Sequence, residues 1–247
     1  ESRQFSAWYC ADMATGFRAQ REIIQQDWKP PVMRQYDASE VARLFPDHER
    51  GDSGLILLVH EGPAGRVEAE MHAIQDIMAG LGLAAADAAA AVDWMGHRNN
   101  VPEWRDLLDQ GLIADTIEVS GSWSQIDAIY HNVVAALKAV PDCVNASAHS
   151  SHVYRSGINL YFTFACMPGD TQVMGDRYLE SWDRALTATA QAGGGIAHHH
   201  GSGRLRRDYL HHDLGEGGVS LLRTVKNALD PQGILNPGNL LPPQSDH

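Results

Sequence analysis

The sequence predicts an α+β fold, an antiparallel sheet flanked by helices. Three observations lead there. Short apolar runs of strand character alternate with longer stretches of helical period, and the strand-helix-strand order that opens the chain restarts near its middle. Residues 157–165 alternate cleanly, with Ile158, Leu160, Phe162 and Phe164 on one face and Asn159, Tyr161, Thr163 and Ala165 on the other, the period of a strand with one buried side.

In order, Phe5 to Cys10 reads as a strand, and Ala14 to Trp28 as an amphipathic helix with Phe17, Ile23, Ile24 and Trp28 in register. Pro30-Pro31 ends that helix, and Val32 to Tyr36 is extended. Asp37-Ala38-Ser39-Glu40 has the composition of a helix start and leads into Val41 to Phe45. A charged loop then precedes the apolar strand Gly54 to His60, followed by a helix from Arg66 to Leu81. Ala84 to Leu107 is alanine-rich and reads as largely helical. The second half offers a strand Ile113 to Val119, Ser122 as a helix N-cap, a helix Gln125 to Val140, and strands Cys143 to Tyr154 and Gly157 to Ala165. A helix Asp176 to Ala192, an expected strand through residues 196–200 and a helix Gly218 to Leu229 complete the pattern. The recurrence implies two similar lobes sharing one sheet.

Nineteen Lys and Arg stand against 31 Asp and Glu, a formal net charge of −12, so a phosphate backbone is not the expected partner and nucleic acid is excluded. Cys10, Cys143 and Cys166 are odd in number and widely spaced, which suits reduced thiols rather than a disulfide framework. The apolar stretch at Ala84 to Val92 is broken by Asp87, so no transmembrane segment is expected, nor does the start carry a signal-peptide pattern. A cytoplasmic protein, at most peripheral to a membrane, is the expectation.

The chemistry concentrates in Gly193-Gly194-Gly195-Ile196-Ala197-His198-His199-His200-Gly201-Ser202-Gly203-Arg204. Three consecutive imidazoles are costly in a core and unneeded on a surface, which makes them candidates for proton transfer. Neutral imidazole also binds transition metals. On a strand, however, His198 and His200 would face one way and His199 the other, so no metal is expected here. Tyr161 faces the polar side of its strand, where a structural tyrosine with a satisfied hydroxyl is the competing reading. His152 is a further pocket candidate, with a strand-end role as its alternative. The glycines and Arg204, Arg206 and Arg207 after the histidines match neither a GxGxxG fingerprint nor a P-loop, and a solvated basic turn explains them equally well.

The closing run Asp230-Pro231-Gln232-Gly233-Ile234-Leu235-Asn236-Pro237-Gly238-Asn239 resembles the C-terminal signature of flavin-linked oxidases of the vanillyl-alcohol oxidase superfamily. Within it, the block from Gly193 to Arg206 is similar to the GG-x-x-x-HHHG-x-G-(Lys/Arg)-L-R segment of the alkyldihydroxyacetonephosphate synthase family. Tyr161, in Tyr-Phe-x-Phe-Ala, looks like that family's catalytic tyrosine, and Arg98 stands where its substrate-phosphate arginine does. The resemblance implies a duplicated ferredoxin-like cap domain and FAD as cofactor. It implies Tyr161, His198, His199 and His200 as catalytic residues, Arg98 as substrate-binding, and flavin contacts from Asn236 and Asn239.

The glycine-rich segments with which the superfamily grips the FAD pyrophosphate are not found in these residues. Residues 1–195 are therefore expected to form the cap or substrate domain, and residues 196–247 the histidine segment plus a tail that returns to an FAD-binding domain outside the chain. The chain alone is expected to be colourless and inactive, a binding module in isolation. Its expected partners are that missing domain, a small-molecule or lipid-phosphate substrate and a second copy of the chain. By resemblance the full enzyme exchanges the acyl group of acyl-dihydroxyacetone phosphate for a fatty alcohol, with no net redox change. A phenol needs neighbouring donors or positive charge to act as a base at neutral pH, and the histidines are expected to stabilise its phenolate. The alternative is a flavin dehydrogenase or oxidase of a 2-hydroxy acid. Those relatives carry a GDGNLH-like segment with a metal-holding histidine, where this chain has Tyr161 in Gly157-Ile158-Asn159-Leu160-Tyr161.

Overall fold

A computed structural model describes residues 1–242. Seven antiparallel strands form one sheet: β1 (Ser2–Cys10), β2 (Val32–Tyr36), β3 (Gly54–Gly62), β4 (Ala84–Ala86), β5 (Ile113–Ser122), β6 (Cys143–Ser150) and β7 (Gly157–Cys166), in the order β4-β1-β3-β2-β6-β7-β5. The first half supplies β4-β1-β3-β2 and the second β6-β7-β5. The two are joined where Gln35 and Tyr36 of β2 pair with Ser150 and His149 of β6. Among the described residues the second half has no full fourth strand. Its place beside β5 is taken by one bridge, Ser120 to Gly195, immediately before the histidines. The expected two-lobed sheet is therefore present, with the second lobe's last strand reduced to a single residue pair.

The helices are α1 (Met13–Gln25), α2 (Ala38–Leu44), α3 (Ala64–Gly80), α4 (Ala89–His97), α5 (Trp104–Asp109), α6 (Ile126–Lys138), α7 (Met174–Gln191) and α8 (Leu210–Leu229). Side-chain alternation assigns them to two faces. Ile117, Val119, Ile158, Leu160, Phe162 and Phe164 pack under α6 and α7, and Ile56 and Leu58 under α1 and α3. The opposite residues, Tyr36, Leu55 and Leu57, meet α2 and α4. Phe162 and Phe164 are fully buried, and burying a side chain of that size stabilises the fold by about 1.5–3 kcal/mol.

Several local readings change. The alanine-rich middle is not one helix: Ala84–Ala86 pairs with Ala7 to Tyr9 as an edge strand, and α4 and α5 are separate. Ser122 does not cap α6. It ends β5, and its hydroxyl donates to Gln125 Oε1, the residue before the helix. Asp37 does cap α2, accepting from Glu40 N at 2.8 Å. The last helix begins earlier than Gly218 and is broken at Gly215, whose φ of 66° and ψ of 168° are not helical. The three cysteines are free. Among the described residues no helix is long and apolar enough to cross a membrane.

Candidate active site

The histidines do not lie on a strand. After the bridge at Gly195 the chain bends, and residues 196–200 run as irregular backbone against the β5 edge. Four anchors fix the bend. The Ser120 and Gly195 amides donate to each other's carbonyls at 3.0 and 2.8 Å, and Ser120 Oγ donates to Ala197 O at 3.0 Å. Asp213 Oδ1 accepts from Ile196 N at 3.1 Å, and the buried Arg206 donates from Nε to Ile196 O at 2.9 Å. Ile196 is fully buried and acts as a plug. Gly194 is required by close approach, since a Cβ there would sit 2.7 Å from Ile129 Cδ1 and 2.8 Å from Thr189 Cγ2. Gly201 turns the chain away with a φ of +72°, which a residue with a Cβ adopts only with strain.

Freed from strand alternation, all three imidazoles turn toward one carboxylate. Glu118, in the middle of β5, has no exposed side-chain surface. Its Oε1 lies 3.1 Å from His198 Nδ1 and 2.9 Å from His199 Nδ1, and Oε2 lies 3.6 Å from His200 Nδ1. Glu118 is the strand partner of Tyr161, so the register of β5 on β7 puts the carboxylate beside the phenol. Tyr161 Oη is 3.4 Å from His199 Nε2, and its ring meets those of His199 and His200 edge-on at 6.3 and 5.6 Å. Tyr161 and the three histidines are thus brought together as expected, though by a bend and not by a strand.

His152 joins them, its ring 5.2 Å from His198 and 5.0 Å from His199. Asn159 holds it there: Nδ2 donates to Glu118 Oε1 at 2.7 Å, while Oδ1 accepts from the His152 and Ser151 amides at 2.8 and 3.1 Å. Tyr154 adds a hydroxyl 2.9 Å from His198 Nε2. One donor atom from each of Glu118, His152, His198 and His199 falls within 4.8 Å of the others, a set able to hold a metal ion. The geometric argument against a metal rested on strand alternation and does not survive the bend.

The electrostatics run against the expected phenolate. Burial, then the charge and hydrogen bonding of Glu118, push the Tyr161 phenol up to about 12. Tyr161 is therefore a proton donor at rest. Burial opposes the charge on Glu118, but the Asn159 amide, the His199 backbone N–H and the neighbouring imidazoles together hold it below its ordinary range. Burial also lowers His152 and His200, favouring their neutral forms.

A cavity of about 590 Å³ opens on this face between the sheet and helices α2, α4 and α5. Trp94, Trp104, Leu107 and Leu112 give it apolar walls, and Arg34, Arg43 and Arg98 also line it. It adjoins the histidine cluster through stacked rings: His149 lies over Tyr161 at 5.0 Å and over Tyr36 at 5.2 Å. His149 is held neutral, its pKa lowered to about 3 by burial and then by the charges of Arg34 and Arg43. Among the described residues, His149 Nδ1 and Arg34 Nε are buried without a hydrogen-bond partner. Arg34 lies over the Trp94 ring at 5.1 Å. Arg98 is exposed just past the end of α4, where its guanidinium donates to Met95 O. It lines the cavity, and among the described residues it makes no hydrogen bond to Tyr161 or the histidines. Asn236 is exposed and Asn239 half-buried in the tail, which Asp230 pins by accepting from Ile234 N and Leu235 N at 3.0 and 2.9 Å.

Sequence reasoning missed Glu118, Asn159, Tyr154 and Arg34. For Glu118 a signal existed, because an acid flanked by Ile117 and Val119 in the middle of a strand must find partners if it is buried. The family profile of FAD linked oxidases, C-terminal domain, matches residues 1–240. The chain belongs to this FAD-linked oxidase family. FAD is the cofactor of the family's full-length proteins.

Among relatives in the family, an uncharacterized FAD-linked oxidoreductase, YgcU of Escherichia coli O157:H7, is 30% identical over 98% of this chain and 52% of its own length. The alkyldihydroxyacetonephosphate synthase of Trypanosoma brucei brucei is 26% identical over 98% of the chain and 44% of its own length. A solved alkyldihydroxyacetonephosphate synthase structure superposes with a TM-score of 0.73 at 20% identity, covering 96% of this chain and 45% of that one, a likeness of fold. The chain spans about half the length of these relatives.

Proposed function

We propose that the intact protein carrying this chain is an alkylglycerone-phosphate synthase-like flavoenzyme that replaces the acyl group of an acyl-dihydroxyacetone phosphate with a fatty alcohol. The observation that carries this reading is the meeting of Tyr161 Oη and His199 Nε2 at 3.4 Å beside a cavity with arginines and apolar walls. Tyr161 exchanges a proton with the substrate carbon next to the carbonyl. The imidazoles hold that phenol in a hydrogen-bond network. Arg98, with Arg34 and Arg43, faces the phosphate, for which guanidinium groups are well shaped. Trp94, Trp104 and Leu107 accommodate the aliphatic part.

His199 and His200, half-exposed beside the Tyr161 ring, would face the ring end of a flavin, and FAD, when bound, would supply a covalent trap for the substrate carbon. Residues 1–195 are the substrate-binding cap, and residues 196–247 the part that returns to the flavin-binding half. That division accounts for the apolar side chains left exposed on α8 and the tail, Leu214, Leu221, Val225, Leu229, Ile234 and Leu235.

The test is the full-length protein with an acyl-dihydroxyacetone phosphate and a fatty alcohol. Ether product from wild type, and none from Tyr161→Phe with flavin still bound, is the expected result. Undiminished turnover by Tyr161→Phe would remove the assignment. One observation favours the second reading, a dehydrogenase or oxidase of a 2-hydroxy acid: the metal-capable set of Glu118, His152, His198 and His199. Reduction of the flavin by a 2-hydroxy acid, abolished by a chelator, would select it.

A further inference from the structure

We propose that Cys143 and Cys166 form a reversible redox site, a cross-strand dithiol that closes to a disulfide when a low-molecular-weight disulfide such as oxidised glutathione reaches it. The inference is independent of the flavin chemistry and of the role of Tyr161.

The two cysteines are direct partners where β6 runs against β7, and both are unbridged. Residues directly opposite one another in an antiparallel pair point to the same face of the sheet. The backbone shows which kind of pair this is. Met167 N donates to Asp142 O at 2.9 Å, while Cys143 N donates away from β7, to Val140 O at 3.2 Å. That is the pattern of a non-hydrogen-bonded pair, in which side chains are closest and the Cα atoms lie about 4.5 Å apart. A disulfide accepts Cα separations from about 4.4 to about 6.8 Å, so the pair stands at the near end of the allowed range. A bulge supplies the remaining freedom. Asn145 pairs with Ala165 directly after Cys143 pairs with Cys166, so Val144 is looped out and exposed. The adjustment that an S–S dihedral requires falls on that bulge rather than on regular ladder.

The surroundings give the sulfurs different parts. Cys166 is fully buried against α7, its Sγ 3.8 Å from Ser181 Oγ, whereas Cys143 is half-buried at the rim of the same core. Burial raises both thiols. At Cys143 the Asn145 backbone, the Cys166 thiol and Lys138 act the other way; at Cys166 Ser181 does so, but a charge on Cys143 adds to the rise. Cys143, the reachable sulfur, is therefore the one that ionises first and attacks, and Cys166 is the resolving thiol. The other charged groups at this end of the sheet, Asp142 and Arg177, are paired with each other at 2.9 Å.

The chemistry balances in two exchanges. The Cys143 thiolate attacks one sulfur of oxidised glutathione, the S–S bond of the oxidant breaks, and one glutathione leaves. Cys166 then loses its proton and attacks the Cys143 sulfur of the mixed disulfide, releasing the second glutathione. Two protein thiols become one disulfide, the oxidant is reduced to two thiols, and the protons lost by the cysteines end on the departing glutathiones. Cys10 is the internal control: it is buried in the other lobe, its strand partner is Gly54, and burial pushes its thiol up to about 12.

The experiment exposes the intact protein to oxidised glutathione under native conditions, alkylates the remaining thiols after denaturation and maps the peptides by mass spectrometry. Wild type is expected to lose two alkylatable thiols, to yield the Cys143–Cys166 linked peptide with Cys10 still alkylated, and to reopen in excess reduced glutathione, as an accessible disulfide does. Cys166→Ser should stop at a glutathione adduct on Cys143, and Cys143→Ser should leave Cys166 unmodified. Both cysteines still alkylated after exposure at about pH 8.5, where thiolates are more populated, overturns the proposal. So does a wild-type adduct that stays on Cys143 beside a free Cys166, or a bridge that excess reduced glutathione cannot open. If either serine variant fails to fold, the wild-type map decides alone.

Discussion

Arg206→Met is the substitution most informative about how the histidine segment is held. The Arg206 guanidinium is almost fully buried, 4.7 Å above the Trp182 ring. It donates to three carbonyls from separate parts of the site, Ile196 at 2.9 Å, Glu118 at 3.3 Å and Gly201 at 3.4 Å. One short hydrogen bond from a charged donor contributes about 1.5–3 kcal/mol, and the two longer ones less. The cation over the indole adds about 1 kcal/mol. Against these stands the cost of burying the charge, visible in the lowering of the Arg206 pKa by burial. Methionine keeps the volume and removes both sides of the balance, but leaves three carbonyls short of a donor. The expected net loss is about 2–4 kcal/mol. Urea unfolding followed by tryptophan fluorescence reads it directly, since Trp182 lies under the group replaced. A loss below about 0.5 kcal/mol, with catalytic activity unchanged, would refute the argument that this arginine holds the bend.

Other outcomes follow from the same geometry. Gly157→Ala should destabilise by about 1–3 kcal/mol, because its Cβ would meet Gly121 O at 2.1 Å and force β5 from β7; thermal unfolding checks this. Phe162→Ala, at a fully buried position, should cost about 3–5 kcal/mol in denaturant unfolding. His149, with a folded pKa near 3 against an ordinary 6.5, binds its proton more readily in the unfolded chain. Its contribution is therefore intact above pH ~6.5 and lost as pH falls toward ~3, at about 1.4 kcal/mol per pH unit within that window. Asp37, pushed up to about 6 by burial, acts in the opposite sense, so the comparison to make is the pH dependence of His149→Gln against wild type. Expressed alone, this chain is expected to show no flavin absorbance; a yellow preparation would contradict the proposed division of the FAD site.

Much of the fold was legible because its strands carry their burial in the sequence. The alternation of β7 and the apolar run of β3 leave little choice of face, and Asp37 announces its helix by capping chemistry. The edge strand Ala84–Ala86 was not legible, since alanine has no strand preference and only pairing with β1 keeps it extended. The histidine segment was misread for a related reason: a run of three identical side chains has no periodicity, and tertiary anchors at Ser120, Asp213 and Arg206 decide its path. Because strand geometry would have separated the imidazoles, the misreading also hid their common partner. Glu118 becomes a site residue only once the register of β5 against β7 places it beside Tyr161. Arg98 shows the reverse, a residue named by spacing that lines the cavity from an exposed helix end.

Hydrogen exchange at the substrate carbon in heavy water tests the chemistry most directly. With acyl-dihydroxyacetone phosphate and no fatty alcohol, the flavin-loaded wild-type protein should wash deuterium into the position beside the carbonyl, and Tyr161→Phe with flavin bound should not. Exchange by Tyr161→Phe at the wild-type rate would mean that the proton travels by a route other than the phenol held over Glu118.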